Sequence, residues 1–162
     1  MRADVALFEK LTLDTFQSGL SWLVVLRKRK EMIKRLQLDE PDKLAKWTPR
    51  RIERVLQDAA IIRNRTKVEA AVNNARLFVR LREQGTTLSH LLWAHVNGQA
   101  IINRWESDDQ IPARTLQGDA MSRELKSMGF KWTGPTVCYA FMQAVGMVND
   151  HLISCPRHKA CC

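Results

Sequence analysis

The sequence predicts an all-α fold for its 162 residues. Apolar residues recur at helical spacing along most of the chain, and no stretch alternates apolar and polar residues as a half-buried strand would. Helix boundaries are marked by threonines at predicted starts and by single glycines at predicted ends. A chain of this length suits one domain with a sizeable core, so we expect residues 1–162 to form a single helical domain.

The N-terminal part of the chain predicts two helices separated by a glycine. Core-type residues such as Leu7 and Phe8 occur at once, and Gly19 then interrupts or ends the first helix. Helical periodicity resumes at Trp22 and continues to Leu36, with lysines and arginines on the other face. Because so few residues precede the first helix, we expect a further segment upstream of this sequence.

Capping residues divide the middle of the chain. Residues 43–47 predict a short helix, and the pair Thr48-Pro49 predicts the start of the next, with threonine as N-cap and proline at the first helical position. A later helix ends at Gly85, which is typical of the position just after a helix C-cap. The threonine pair at 86–87 begins another helix that ends near Gly98.

The C-terminal third predicts a loop followed by two helices. Residues 99–118 look irregular and predict a surface loop. Residues 120–128 predict a helix that Gly129 closes, and residues 130–135 a connector. The last strong helix is predicted over residues 136–148.

Charge is concentrated in one part of the chain. Lys and Arg number 26 against 17 Asp and Glu, a net charge of +9, and residues 27–67 hold 14 basic against 6 acidic residues, a net +8. A localised basic surface is typical of nucleic-acid binding, with a membrane surface as the competing partner. No apolar run of spanning length and no signal peptide is seen, which predicts a soluble, cytoplasmic protein.

The segment 56–68 predicts a helix, a very short turn and a second helix. The turn 60–62 is apolar, and Arg63, Arg65 and Lys67 follow it at once. A tight turn that opens into a helix with a cationic first turn suits a phosphate, because free backbone N–H groups and the positive end of the dipole face the anion. An ordinary helical hairpin with solvated arginines explains the residues equally well.

Three segments together resemble the DNA-3-methyladenine glycosylase I family of the helix-hairpin-helix glycosylase superfamily. They are LDTFQSGLSWLVVLRKRK at 13–30, LQDAAIIRNRTKVEAAVNNAR at 56–76 and GFKWTGPTVCYAFMQAVGMVNDH at 129–151. They occur in the family's order and spacing, so the resemblance covers almost the whole chain. It implies the helix-hairpin-helix DNA glycosylase fold.

The resemblance also implies a function in DNA repair. Such an enzyme flips an alkylated adenine out of double-stranded DNA and hydrolyses its N-glycosidic bond without cutting the backbone. We expect it to act as a monomer. The alternative is a catalytically impaired helix-hairpin-helix DNA-binding module produced by N-terminal truncation. A generic basic helical protein that binds another protein is disfavoured by the joint occurrence of the three segments.

The first of these segments supplies the residues that the resemblance implies for the base. Asp14 matches the acidic residue that reads the flipped base, and Trp22 matches the aromatic residue that stacks on it. Gly19 and Leu20 match the tip that enters the duplex, and Gln17 is counted with the DNA-binding residues. Without the resemblance, a helix cap and a core tryptophan would be the simpler interpretations of Asp14 and Trp22.

The resemblance implies that backbone amides of the hairpin hold a DNA phosphate, with its basic side chains adding charge. The predicted DNA-binding residues of this segment are Ala60, Ile61, Ile62, Arg63, Arg65, Thr66 and Lys67. Ala60 and Thr66 stand where family members commonly have glycine. If either position required a positive φ, its side chain would cost on the order of 1 kcal/mol.

The family has a structural zinc site of which this chain carries only part. His151 and Cys155 match two of its ligands, while the segment that supplies a Cys, a His and a pocket Tyr is missing. His158 and Cys161 are possible substitutes in the tail. Since a structural zinc site wants four ligands, we expect zinc to be absent or weakly held. The missing tyrosine predicts a more open base pocket and reduced activity.

Overall fold

The computed structural model describes residues 1–161, and the fold is all-α as predicted. Cys162, the last residue of the predicted tail, lies outside the described part of the chain. The α-helices of the described residues are α1 (Asp4–Gln17), α2 (Trp22–Leu36), α3 (Pro41–Ala45), α4 (Pro49–Val55), α5 (Arg65–Glu83), α6 (Leu88–Trp93), α7 (Leu116–Ser127), α8 (Pro135–Val145) and α9 (Pro156–Ala160). Two single 3-10 turns, Ala94–Val96 and Asp108–Gln110, complete the helical structure.

The first helix, α1, is the centre of the domain. It packs against α2, α5, α6 and α8. Its buried residues include both apolar and polar side chains and lie on more than one face, as expected for a helix surrounded by others. The early core residues Leu7 and Phe8 are confirmed as buried, and the ring of Phe8 lies 5.3 Å from that of Phe78 on α5. The C-terminal end of this helix, with Asp14 and Phe16, is therefore held within the core.

Two very short strands were not predicted. Ile101–Ile102 (β1) and Val148–Asn149 (β2) form a parallel pair, in which Ile101 lies opposite Val148. An isolated bridge between Trp105 and Leu152 extends this pairing toward the tail. Strands of two residues are too short to show a period-two pattern, so the sequence carries no signal for them.

The predicted helix caps are confirmed. Thr48 precedes Pro49 at the start of α4, and its side chain accepts a hydrogen bond from the backbone N–H of Arg51. Thr87 is the N-cap of α6 and accepts from His90 N at 3.0 Å. Gly85 follows the C-cap of α5 with a φ of +77°. Each cap satisfies backbone groups that have no partner within the helix.

Several predicted boundaries are wrong. The short helix expected over residues 43–47 is α3, Pro41–Ala45. The helix expected over residues 120–128 begins at Leu116, with Thr115 as N-cap. The helix expected to reach residue 148 ends at Val145, where Gly146 takes a φ of +81°. The predicted hairpin is also looser than expected, because nine residues from Leu56 to Asn64 separate α4 from α5, and α5 packs mainly against α3.

None of the helices in the described part of the chain is both long enough and apolar enough to span a membrane.

Candidate base and DNA site

The turn between α1 and α2 presents an apolar side chain to solvent. Gly19 has a φ of +75°, a conformation that glycine adopts without penalty. Leu20 N donates to Gln17 O at 2.7 Å, and Gln17 Nε2 donates back to Leu20 O at 2.9 Å. Gln17, predicted to bind DNA, therefore holds the turn closed. Leu20, at the tip of the turn, is 36% exposed, so its apolar side chain reaches solvent.

Asp14 lies one turn before the end of α1 and is buried, with only 2% of the residue exposed. Its Oδ1 accepts a hydrogen bond from Lys10 Nζ, whereas its Oδ2 has no hydrogen-bond partner among the described residues. Burial raises the pKa of Asp14 above its usual value, and the charge and hydrogen bond of Lys10 oppose that rise. A buried carboxylate oxygen with no partner costs free energy. This oxygen is therefore suited to accept a hydrogen bond from a ligand.

Trp22, at the first position of α2, is 40% exposed rather than part of the core. The ammonium of Lys10 lies 4.8 Å from the centroid of its ring. Lys10 thus links Asp14 to the indole, with its cation bonded to the carboxylate and within cation–π range of the ring. The same pair of groups can hold another cation, such as a positively charged purine ring. Sequence reasoning missed Lys10, because a lysine on an amphipathic helix is usually solvated.

A cleft of about 560 Å³ opens beside the exposed indole. Its wall includes Gln143 of α8 and, from the tail, Asp150 and His151. Asp14 does not line this cleft. The structure therefore brings Asp14 and Trp22 together through Lys10, while the open space lies on the side of Trp22 that faces α8.

Three of the seven backbone N–H groups predicted to bind DNA in the hairpin have partners inside the protein. Ala60 N donates to Asp58 Oδ1 at 2.9 Å, and Lys67 N donates to Asn64 Oδ1 at 3.2 Å, which caps α5. Ile61 N donates to Asp58 O at 3.4 Å. The side chains of Ile61 and Ile62 are buried in the core. Among the described residues, the backbone N–H groups of Ile62, Arg63, Arg65 and Thr66 have no hydrogen-bond partner, and those at the start of α5 are of the kind that bind an anion.

Two of the three cationic side chains in this segment bind partners within the protein. Arg65 Nη2 donates to Glu53 Oε2 at 2.7 Å, and the ion pair is solvent-exposed. Lys67 is buried, with 3% exposed, and its Nζ donates to backbone oxygens of the α1 end, which corrects the expectation that its charge faces DNA. Arg63 is exposed. It is the best placed of the three to meet a phosphate.

The absence of glycine from the hairpin carries no conformational cost. Ala60 and Thr66 are both outside the group of described residues with a positive φ. Thr66 is exposed in the first turn of α5, and its hydroxyl donates to Asn64 Oδ1 at 2.8 Å. The strain that a left-handed conformation would impose therefore does not arise at either position.

The loop between α7 and α8 holds an exposed aromatic residue that sequence reasoning treated as part of a connector. Trp132 is 41% exposed and has a φ of +60°, which is strained for a residue other than glycine. Its ring lies 5.0 Å from Lys67 Nζ. Residues of this loop line two clefts, one beside the first turn of α5 and one beside Ser18. The available signal was a tryptophan flanked by Gly129 and Gly134.

The tail supplies two neighbouring metal-binding side chains rather than four. His151 Nδ1 lies 3.9 Å from Cys155 Sγ. His158, the possible substitute ligand, is buried, and its Nε2 lies 2.8 Å from Asn103 O. Within residues 1–161, no three His, Cys, Asp or Glu side chains come together as a metal-binding group. The residues present therefore do not form a complete four-ligand zinc site.

Asp150 attaches the start of the tail to the rest of the fold. Its carboxylate accepts hydrogen bonds from Tyr139 Oη at 2.6 Å, Gln143 Nε2 at 2.7 Å, Trp105 Nε1 at 2.8 Å and Asn103 Nδ2 at 2.7 Å. Burial alone would raise the pKa of Asp150, but these four hydrogen bonds outweigh it and hold the pKa below its usual value.

Comparison with known proteins identifies relatives over most of the chain. The methyladenine glycosylase family matches residues 1–158. DNA-3-methyladenine glycosylase 1 of Escherichia coli is 40% identical over 149 residues, which cover 92% of this chain and 80% of that protein. A crystal structure of 3-methyladenine DNA glycosylase I superposes with a TM-score of 0.94 at 38% identity, covering 96% of this chain and 86% of the other.

A further similar structure contains the base itself. It is a variant of 3-methyladenine DNA glycosylase I in complex with 3-methyladenine, with a TM-score of 0.92, 31% identity and coverage of 96% of this chain and 84% of the other. Fold and matches together place this protein among the all-α DNA glycosylases, which are hydrolases. Within that class, the chain belongs to the methyladenine glycosylase family.

Proposed function

We propose that this protein removes 3-methyladenine from alkylated double-stranded DNA by hydrolysing the N-glycosidic bond of a flipped base. The observation that carries the proposal is the buried Asp14, with one unpartnered oxygen, beside the exposed indole of Trp22. A carboxylate and an aromatic face together favour a cationic planar ligand. Methylation at N3 puts a positive charge on adenine, so the pair favours the damaged base over the normal one.

The chemistry then needs little from a general base. The positive charge of a 3-methyladenine nucleotide already makes the base a good leaving group, so recognition and electrostatics supply most of the catalysis. Asp14 accepts from the exocyclic amine, Trp22 stacks on the ring, and Leu20 fills the space that the flipped base leaves. Lys10 has to withdraw as the base arrives, because its ammonium occupies the position between carboxylate and indole.

The basic segment 27–67 provides the attraction for DNA. Its net charge of +8 lies on the helices next to the wedge, and Arg63 is exposed on the side of the hairpin. We place the helix-hairpin-helix contact with the DNA backbone on this side of the molecule. On this proposal the protein works as a monomer in the cytoplasm, where it meets chromosomal DNA.

The proposal is tested by measuring release of free 3-methyladenine from methylated duplex DNA. Asp14→Asn keeps the size of the side chain but removes its charge, so we expect the rate of release to fall by about 100-fold, or about 2.7 kcal/mol in the barrier. Duplex affinity, measured by fluorescence anisotropy, should change by less than about threefold.

The outcomes separate the candidate functions. If the wild-type protein binds duplex DNA with steep salt dependence but releases no base, it is a catalytically impaired DNA-binding module. If Asp14→Asn loses DNA binding and base release equally, Asp14 is a structural residue. Trp22→Phe is the matched control, since it retains an aromatic face and should keep most of the activity.

For zinc we propose weak binding or none. His151 and Cys155 are close enough to share one ion, but the residues present supply two of the four ligands that a structural site needs. Any zinc held there would stabilise the tail and take no part in base release.

A further inference from the structure

Lys67 joins the segment after the hairpin to the end of the central helix. It lies in the first turn of α5, and its Nζ donates to Phe16 O at 2.9 Å and to Ser18 O. Both carbonyls belong to the C-terminal end of α1, where backbone oxygens have no partner within the helix. A cation at this position also complements the negative end of the helix dipole. The ammonium thus satisfies two groups that would otherwise need water.

Trp132 covers the same ammonium from a third segment. Its ring lies 5.0 Å from Lys67 Nζ, within the range of a cation–π contact. The strained backbone at Trp132, with a φ of +60°, persists only because its surroundings hold it. Lys67 therefore stands where the end of α1, the start of α5 and the α7–α8 loop meet.

The burial of Lys67 shows that this contact is more than a surface interaction. Only 3% of the residue is exposed, and burial lowers the pKa of its ammonium. A flexible side chain held in this way loses the freedom that an exposed lysine keeps. The arrangement is costly for a residue whose purpose is to meet a phosphate, and it suits one that fixes the backbone.

We propose that Lys67 is a positioning residue that fixes the turn from Ser18 to Ser21, and hence the insertion geometry of Leu20 and the start of α2 that carries Trp22. The two carbonyls that Lys67 binds lie four and two residues before Leu20, and Gln17 closes the turn through its hydrogen bond to Leu20 O. The proposal rests on the proposed base-excision function. It replaces the sequence-based expectation that Lys67 contacts a DNA phosphate.

The two roles predict different kinetics for Lys67→Met, which keeps the length and apolar stem of the side chain. A positioning role predicts that the single-turnover rate at saturating enzyme falls at least tenfold, because small displacements of reacting groups are costly. Duplex affinity should stay within threefold, and its salt dependence should be unchanged. A phosphate contact predicts weaker binding, a salt slope smaller by about one, and an unchanged single-turnover rate. That second result would overturn the proposal.

Arg63→Gln is the matched control. Arg63 is exposed and lies four residues before Lys67 in the same segment, so its loss should weaken duplex binding and reduce the salt slope by about one. The comparison shows that the assay detects a phosphate contact where one exists.

Two further measurements keep the proposal testable if Lys67→Met folds poorly or the enzyme proves inactive. Trp132→Ala leaves Lys67 in place but exposes its ammonium, so the single-turnover rate should fall in the same direction, whereas Trp132→Phe should retain it. Hydrogen exchange at the Leu20 amide needs no activity, and in Lys67→Met it should quicken at least tenfold. Unchanged exchange at Leu20 would contradict the positioning role, whereas absent base release with faster exchange would contradict only the proposed function.

Discussion

At the scale of single residues, the site depends on how one carboxylate is kept charged. Burial raises the pKa of Asp14, and Lys10 opposes the rise through its charge and its hydrogen bond. The sequence predicted Asp14 as a base-reading residue only through resemblance, since an acid near a helix end is commonly a cap. It could not reveal Lys10, because the i, i+4 spacing of Lys and Asp is equally typical of a solvated helix face.

We predict that Lys10→Met shifts the acidic limb of base release to higher pH. Asp14 must be ionised to attract a cationic base, and its pKa is already above the usual value. Removing Lys10 takes away the influence that lowers this pKa, so protonation, and loss of activity, begin at a higher pH. The measurement is the pH profile of kcat/KM for base release, which reports the free enzyme, in which Lys10 contacts Asp14.

The controls for this experiment follow from the same contact. Lys10→Arg keeps the positive charge, so the acidic limb of its pH profile should lie at the same pH as in the wild type. A limb that stays in place or moves to lower pH in Lys10→Met would show that Lys10 does not govern Asp14. Stability gives an independent check. Because the pKa of Asp14 is raised in the folded protein, stability falls as pH rises from the unfolded-state pKa to the folded-state pKa. Lys10→Met raises the folded-state pKa further, so this variant should lose more stability across that window and recover it as pH falls.

At the scale of helices and turns, local signals predicted the capped helix ends and missed an end that depends on contacts across the fold. Thr48, Thr87 and Gly85 were predictable because a cap depends on neighbours a few residues away. The start of α7 was not, since Gly118 lies inside the helix instead of ending the loop before it. The reason is a contact across the fold, because a Cβ at Gly118 would lie 3.1 Å from Tyr139 Cβ on α8.

We predict that Gly118→Ala destabilises the protein, although alanine is the better helix former. The propensity gain is at most about 1 kcal/mol, and overpacking a buried contact costs about 1–3 kcal/mol. Tyr139 cannot easily yield, because its hydroxyl holds Asp150 at 2.6 Å. We expect a net loss of about 1 kcal/mol, seen as a melting temperature lower by roughly 2–4 °C.

Gly134→Ala is a useful comparison for Gly118→Ala. A Cβ built at Gly134 meets nothing within 4 Å, and its φ is not positive. It should leave the melting temperature nearly unchanged. A higher melting temperature for Gly118→Ala would contradict this prediction. It would mean that α7 and α8 can move apart to make room for the added methyl group without losing stability.

At the scale of the whole molecule, composition predicts the partner but not which charges face it. The net charge of +8 over residues 27–67 by itself indicates a nucleic acid. The sequence could not show that Lys67 is buried or that Arg65 pairs with Glu53, since both depend on how distant segments pack. The fold class could be predicted from the sequence, and so could the pairing of Asp14 with Trp22 in one site. The exposed position of Trp132 could not, because it depends on the path of the α7–α8 loop.

The described part of the tail is attached to the rest of the domain by hydrogen bonds of the protein's own groups. Asp150 accepts four hydrogen bonds from side chains of the preceding fifty residues, and Asn149 Nδ2 donates to His158 O at 2.9 Å. The strand pair with Ile101 adds backbone hydrogen bonds. These contacts attach residues 148–158 to the core through the protein's own groups.

We therefore predict that removal of divalent metal leaves the fold intact. Treatment with EDTA should change the melting temperature by less than about 2 °C, because two ligands supply little of the free energy of a four-ligand zinc site. Asp150→Asn is the contrasting variant, since it removes the charged acceptor of four hydrogen bonds and should destabilise the protein by about 2 kcal/mol or more. Stoichiometric zinc after desalting, lost together with stability in Cys155→Ala, would show instead that zinc holds the tail.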